Sequence, residues 1–566
     1  MEGGFVMNSF QVLEADVLVI GGAVAATRAA VAAYDEGASV ILADKGILGK
    51  SGAGPVAYSV TAALGGQPPD SLETFFQDMV KSGQGLNNQR LVRTFVEDVA
   101  QGRVLELEKY GIVFAREPDG TLSLRQMGGH SHPRDVASFH AASMVNVLVS
   151  EVMRRDIKVL SETGITRLLI DQGRVVGAVG LNKKTGDMVV FRAKSTVLTA
   201  GGAGQAWGPG ETSGYTTTLL EITSDSYALA YQVGAELIDM EFVQFIPALA
   251  CPEVYKGVLV GEPAALDAKL YNAKHERFME RYAPERMERS TKDVLCISFA
   301  KEVKEGRGTP HGGVWVDYSN ATEDAMRIFP IPFKEMGIDY KKDWVEIMPS
   351  AHYFMGGARI NERCETTIPG LYAAAEAASG LHGANRLAGC STADCNVYGW
   401  RAGTYAARSA RDVEKPGIDW EQVSEEGRRF TALLKSHEKR QGITPITLRR
   451  KIQALLWDNV GPLKNKAGLS AVLERLQEIR KEYETNIRLR DGSLSFNTEL
   501  VEAIETSNMI ETAEIITRAS LLREESRGGH YREDFPQKDD TNWLKNIAVK
   551  KEGGEMRITT TPVVQA

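Results

Sequence analysis

Five cysteines are scattered through 566 residues, and no two of them form a CxxC pair. An odd, sparse set of this kind excludes a disulfide framework and an iron–sulfur array ligated by this chain alone. Cys390 and Cys395 lie closest together, but no second Cys or His pair completes the four ligands that zinc takes. They read as small buried residues, and no metal site is expected. Long apolar runs are missing too: none approaches the roughly 18 residues of a membrane-crossing helix. The opening MEGGFVMNSFQVLEADVLVIGG lacks the basic segment, apolar stretch and small-residue cleavage site of a secretory leader. Basic charge is in short supply, with 66 Lys and Arg against 74 Asp and Glu. Nothing in that balance attracts nucleic acid or an anionic membrane. The expectation is a cytoplasmic protein that binds no nucleic acid and has no membrane span of its own.

What is present suits a globular chain of two to four domains, with 43% hydrophobic and 25% charged residues. Residues 15–45 read strand, glycine turn, helix, strand: ADVLVI is a buried β run, GGAVAATRAAVAAYDEG a small-residue helix ending at Gly37, and ASVILAD a second strand. Such a βαβ unit, closed by the acidic Asp44, is the dinucleotide fingerprint. Phosphate rests on the helix N-terminus and the carboxylate takes the ribose hydroxyls. The fingerprint is imperfect: against G-x-G-x-x-G the chain offers Gly21, Ala23 and Ala26, so the pyrophosphate approach carries an extra methyl.

Two further strand-to-glycine breaks support it, STVLTAGGAGQAW at 195–207 and PGLYAAAEAASG at 369–380, the second carrying Glu376. Breaks so far apart imply one nucleotide domain interrupted by insertions. Residues 240–350 are richer in proline, aromatics and charge, and HERFMERYAPERMERSTKDVLCISFAKEVKEG reads as helical. The domain reading is a nucleotide-binding domain over 1–240 and 351–415, a capping and substrate domain over 241–350, a helical domain over 416–546, and a polar tail over 547–566 without periodicity.

The stretches VLVIGGAVAATRAAVAA, GGHSHPRDV, SDSYALAYQVGAELIDMEFVQF, SAHYFMGGARIN, HGANRLAG and ESRGGHYREDFPQKDDTNW resemble the flavoprotein subunits of succinate dehydrogenase and fumarate reductase. L-aspartate oxidase and adenylylsulfate reductase are soluble relatives in the same family. The resemblance spans nearly the whole chain. It implies an α/β fold in which a Rossmann-like FAD-binding domain is interrupted by an α+β capping domain and followed by a helical C-terminal domain. It implies an FAD-dependent oxidoreductase acting on CH–CH bonds, with hydride passing between flavin and a C–C or C=C bond beside a carboxylate or carbonyl. By motif, Gly21, Gly22, Ala23, Ala26, Asp44 and Lys45 fall at the FAD pyrophosphate and adenosine, and Ser51 and Gly52 in the loop that follows. Ala200, Gly201 and Gly202 fall on the adjoining cofactor surface, and Asp225, Glu376, Arg386 and Ser391 at further cofactor contacts. His352 of HYFMGG and Arg386 of HGANRL match the pair that grips a substrate carboxylate, a task suited to a guanidinium fork beside a charge-assisted histidine donor. ESRGGHYREDFP, 525–536, resembles the region of members that work beside an iron–sulfur subunit. Such an electron-transfer partner is expected, and any membrane association comes through partner subunits.

The departures matter as much. Where the respiratory members carry a histidine tethered to FAD, this chain has Gly52, so non-covalent FAD is expected. The family's FHPT is FIPA here, with Ile246 and Ala248 in place of two polar residues. T-E-G-x-R-G-E-G becomes GEPAALDA, which keeps Glu262 and loses the arginine of the proton path. The S-R-D motif aligns with Thr291, Lys292 and Asp293, making Lys292 the candidate proton donor, with Arg289 one turn back as a competitor. Losing donors matched to a substrate costs powers of ten in specificity. Plain fumarate or succinate is therefore disfavoured, and one carboxylate on an apolar or bulkier remainder is favoured: an enoate, an aryl-substituted acid or a thioester. Two rival readings stand beside this one: an aspartate-oxidase-like enzyme, and an electron-transfer flavoprotein subunit whose substrate site has decayed.

Overall fold

The computed structural model describes residues 10–57, 59–64, 70–138, 143–208, 216–255, 259–260, 263–323 and 331–566. β1 (Phe10–Ile20), α1 (Val24–Asp35) and β2 (Val40–Ala43) form the first unit. Val17 to Ile20 are apolar on both faces and buried, as in a central parallel strand with helices on either side. β3 (Lys158–Leu160) extends the sheet beyond β2. β4 (Thr163–Asp171) and β5 (Arg174–Asn182) form a hairpin against β6 (Met188–Leu198), giving the order β3-β2-β1-β6-β5-β4. β6 forks: its first half pairs antiparallel with β5, while Thr196 to Leu198 pair parallel with Leu371–Ala373 from far downstream. The strand-to-glycine breaks read from the sequence thus lie side by side.

Between them sits an antiparallel sheet, β7 (Val243–Ala250), β8 (Lys269–Tyr271), β9 (Val314–Asp317) and β10 (Val345–Phe354), in the order β7-β10-β9-β8. α2 (Lys292–Lys304) packs on it, and Phe278, Leu295, Phe299 and Tyr318 give it a core of its own. The charged stretch that reads as helical is broken into Met279–Tyr282, a 3-10 turn at Met287–Arg289, and α2. Pro284 forces Ala283 out of helical geometry, to φ −153°.

α3 (Cys390–Arg411) lies along α1 so closely that a Cβ on Gly403 would come 2.0 Å from the Ala29 carbonyl oxygen. The alanines of α1 and the glycines of α3 bring both helix N-termini to the same sheet edge. Beyond follow α4 (Trp420–Lys435), α5 (Pro445–Asn459), α6 (Lys466–Asn486) and the long buried α7 (Thr498–Leu522). The stretch 547–566, read as a tail without periodicity, is instead most of a hairpin, Lys545–Glu552 with Glu555–Pro562, joined to Leu237–Ile238. Its inner strand buries Ile547 and Val549, whereas the outer strand is an edge that turns only Met556 and Ile558 towards the core and carries Glu, Arg and Thr elsewhere, so the alternating signal is short. Among the described residues no helix is long and apolar enough to cross a membrane.

Candidate active site

The C-terminal ends of β1, β2, β6 and Leu371–Ala373 open on one crevice, a cavity of about 280 Å³, where an open α/β sheet takes its ligand. Gly21 leaves β1 at φ +129°, and a Cβ there would lie 2.5 Å from the Thr199 carbonyl oxygen. Only glycine fits that turn. Gly22, Ala23, Asp44, Lys45, Ser51, Gly52, Ala200, Gly201, Asp225, Glu376 and Ser391 line the crevice. Ala26 and Gly202 do not: Ala26 is fully buried in α1, and Gly202 packs so closely on Glu376 that a Cβ would stand 2.7 Å from Oε1. Asp44 accepts hydrogen bonds from Ser51 Oγ (2.7 Å) and the Gly46 N–H (3.1 Å), and burial raises its pKa against their pull. Burial also opposes the Lys45 ammonium, but Asp225 and Glu505, each 2.6 Å away, outweigh it and raise its pKa. Two helix N-termini, small residues along the crevice and a buried acid after the second strand fit a dinucleotide.

The far end of the cavity collects cations. Two strand irregularities shape its lining at His352 and Ile246. Gln244 pairs with Tyr353 but Phe245 with Ala351, so His352 is the extra residue of a bulge. A second irregularity between Ile246 and Leu249 surrounds Pro247, which suits a break in the ladder. His352 lines the cavity, with Nδ1 2.8 Å from Thr217 Oγ1. Burial, together with the charges of Arg386 and Lys292, holds its pKa well below the ordinary value. It is thereby held as a neutral imidazole. Lys292 lines the cavity from the first residue of α2.

Arg386 is 4% exposed, stacks on Tyr353 at 4.8 Å and donates to Gln244 Oε1 at 2.8 Å. Its Nε has no hydrogen-bond partner. Among the described residues no carboxylate lies within ion-pair distance of it. Gln244 donates in turn to Asn385 Oδ1 (3.0 Å), and Asn385 donates to Asp293 Oδ1 (3.0 Å), the residue after Lys292. One polar chain therefore joins the root of α2 to the arginine. Opposite these groups Ile246, Ala248, Leu259 and Val260 make an apolar wall. Arg289 is not brought in: the break before α2 leaves its side chain 80% exposed, 3.6 Å from Asp267. Glu262 lies outside the described residues. Cys390 is buried beside Thr61, while Cys395 reaches the cavity wall.

Sequence reasoning misses Gln244 and Asn385, although each sits inside a motif it singles out, EFVQ and HGANRL. It also misses Asp135 of GGHSHPRDV, because only the pairing of Ser59–Thr61 with Asp135–Ala137 carries it to the cavity edge beside Gly389. Asp135 is buried with Oδ1 unpartnered, and burial pushes its pKa up to about 7 against Ser59, Arg125 and Lys292. The folded state binds that proton more tightly than the unfolded state, so ionisation costs stability as pH rises through the interval between the two pKa values. Asp135→Asn is expected to raise stability by on the order of 3 kcal/mol at about pH 8 and by nothing at about pH 3. Denaturant midpoints at the two pH values measure it.

Residues 16–392 match the FAD binding domain family, and residues 449–566 match the family described as fumarate reductase flavoprotein C-term. The chain belongs to the fumarate reductase/succinate dehydrogenase flavoprotein family. It is an FAD-dependent oxidoreductase, and FAD is its cofactor. A fumarate reductase (CoM/CoB) subunit from Methanothermobacter marburgensis is 36% identical over 555 residues, covering 96% of this chain and 98% of that protein. Sdh1 of Mycobacterium smegmatis in complex with UQ1 superposes with a TM-score of 0.87 at 34% identity, over 98% of this chain and 95% of that one. A quinol fumarate reductase flavoprotein from E. coli gives 0.89 at 28% identity, over 98% of both chains.

Proposed function

We propose that this flavoprotein interconverts a C=C and a C–C bond beside a single substrate carboxylate, and that the rest of its substrate is more apolar or bulkier than the second carboxylate of fumarate. The observation that carries this reading is Arg386, a buried guanidinium with no carboxylate partner among the described residues. A charge so placed is costly unless a ligand anion completes it. Its fork takes the carboxylate and His352 Nε2 donates beside it. Lys292 gives or takes the proton at the neighbouring carbon, held there against the positive end of the α2 dipole. Ile246, Ala248, Leu259 and Val260 receive the apolar remainder. When bound, FAD supplies the hydride chemistry. A decayed pocket would have no use for three convergent donors, and an amino-acid oxidase would need anion contacts that Ile246 and Ala248 have removed.

FAD is held without a covalent bond. Gly52 stands at φ +72°, a conformation a histidine rarely adopts, and among the described residues His352 is the one imidazole in the cavity lining. Acid denaturation is expected to release all flavin into the supernatant, and fluorescence remaining with the protein on a denaturing gel would contradict this. Electrons pass to or from an iron–sulfur subunit. In support, ESRGGHYREDFP folds as a buried charged knot, with Arg527 on Glu525 at 2.7 Å, and relatives are named as subunits. The substrate reading is tested by anaerobically reducing the purified flavoprotein and screening enoates, aryl-substituted enoic acids and enoyl thioesters for reoxidation. Plain fumarate as the fastest oxidant, or no unsaturated acid acting at all, would refute it.

A further inference from the structure

Away from the crevice, the capping sheet brings three ligand-type side chains together. Cys251 follows β7, His311 sits on the turn between α2 and β9, and Glu346 is the second residue of β10. One ligand atom from each lies within 4.8 Å of the others, and among the described residues this is the one such group. The backbone fixes it: the Cys251 N–H donates to the Glu346 carbonyl at 2.9 Å, and the Thr309 N–H to Gly313 at 3.0 Å closes the turn that presents His311. Glu346 is buried, and its Oε1 accepts from the Thr309 hydroxyl and from the His311 N–H, leaving Oε2 to face His311 Nδ1 at 2.7 Å. The Val254 and Tyr255 N–H groups donate to the Cys251 carbonyl at 3.1 and 2.7 Å, which fixes the backbone at the thiol. Glu253 Oε2 stands 3.9 Å from His311 Nε2, and both side chains reach solvent.

Cys251 is buried with its sulfur in reach of a buried carboxylate and an imidazole. Thiolate, imidazole and carboxylate together suit a borderline-soft cation. We propose that Cys251, His311 and Glu346 form a zinc-type divalent cation site, with water or Glu253 at the fourth position. Thr309 and the His311 N–H serve as the outer contacts that orient the carboxylate. On binding, the thiol proton leaves to solvent, and the thiolate and carboxylate neutralise the divalent charge. Spacing along the chain hides the site, which explains why the sequence gives no expectation of a metal. Cys251 is also the root of the segment leading to Leu259 and Val260, so the ion would anchor the apolar cavity wall to the capping sheet.

The full flavin-loaded chain, stripped with a chelator and titrated with zinc, provides the test. Zinc K-edge absorption fine structure is free of flavin overlap and is expected to show a sulfur shell at about 2.3 Å. Cys251→Ser removes that shell, and His311→Ala, at a partly exposed position, weakens binding by more than the roughly 10–100-fold that loss of an outer contact to a ligand costs. An oxygen-only shell in the native chain, or affinity unchanged in His311→Ala, would overturn the proposal. Neither outcome depends on which acid the flavin site reduces.

Discussion

Arg386→Leu is expected to lower kcat/KM by about four to five powers of ten, because a site built to pair a substrate group loses that much when the partner is removed. Apo-protein stability should move the other way, unchanged or higher by on the order of 1 kcal/mol, since an uncompensated buried charge is removed and only the bonds to the Gln244 side chain and the Leu387 carbonyl are lost. A structural arginine would behave oppositely, destabilising the fold when replaced. Arg386→Lys should recover little activity, as an ammonium keeps the charge but lacks the planar fork that Gln244 and Tyr353 hold in position. Steady-state kinetics with thermal unfolding of the same three proteins separates the two roles.

Lys292→Met is expected to reduce the proton-dependent step by about 10²–10⁴-fold while leaving carboxylate binding within about tenfold of the native value. The split follows from the geometry: Lys292 enters from α2, whereas His352 and Arg386 come from β10 and the loop before α3. A carboxylate inhibitor that perturbs the flavin spectrum reports binding, and solvent-isotope exchange at the substrate carbon reports the proton. If exchange persists at the native rate in Lys292→Met, another residue moves the proton. Arg289→Ala should change neither readout, because that side chain points to solvent.

Much of this is legible in the chain alone. A βαβ unit with a glycine turn and a closing acid announces itself through local patterning, and Gly21, Asp44, Glu376 and Arg386 meet in one crevice. What stayed hidden depends on contacts between remote segments. Arg289 and Lys292 are equivalent on an unbroken helix, and only the break after Met287–Arg289 separates their fates. Asp135 is an ordinary acid until a strand pair buries it. His352 was legible as a ligand but not as a neutral one, because its state is set by burial and by two cations distant in sequence. The final hairpin is hidden because only Met556 and Ile558 of its outer strand face the core, too short an apolar pattern to stand out in a charged segment.

The ammonium of Lys45 is gripped by Asp225 and by Glu505, which enters the chain 460 residues later. The forked strand β6 likewise waits for Leu371–Ala373 before its second edge is covered. On a ribosome adding about 5–20 residues each second, the first nucleotide-binding turn emerges long before the residues that close the crevice. Cofactor loading is therefore an event of the finished chain, and a truncated product ending before α7 should remain flavin-free however well its N-terminal sheet folds.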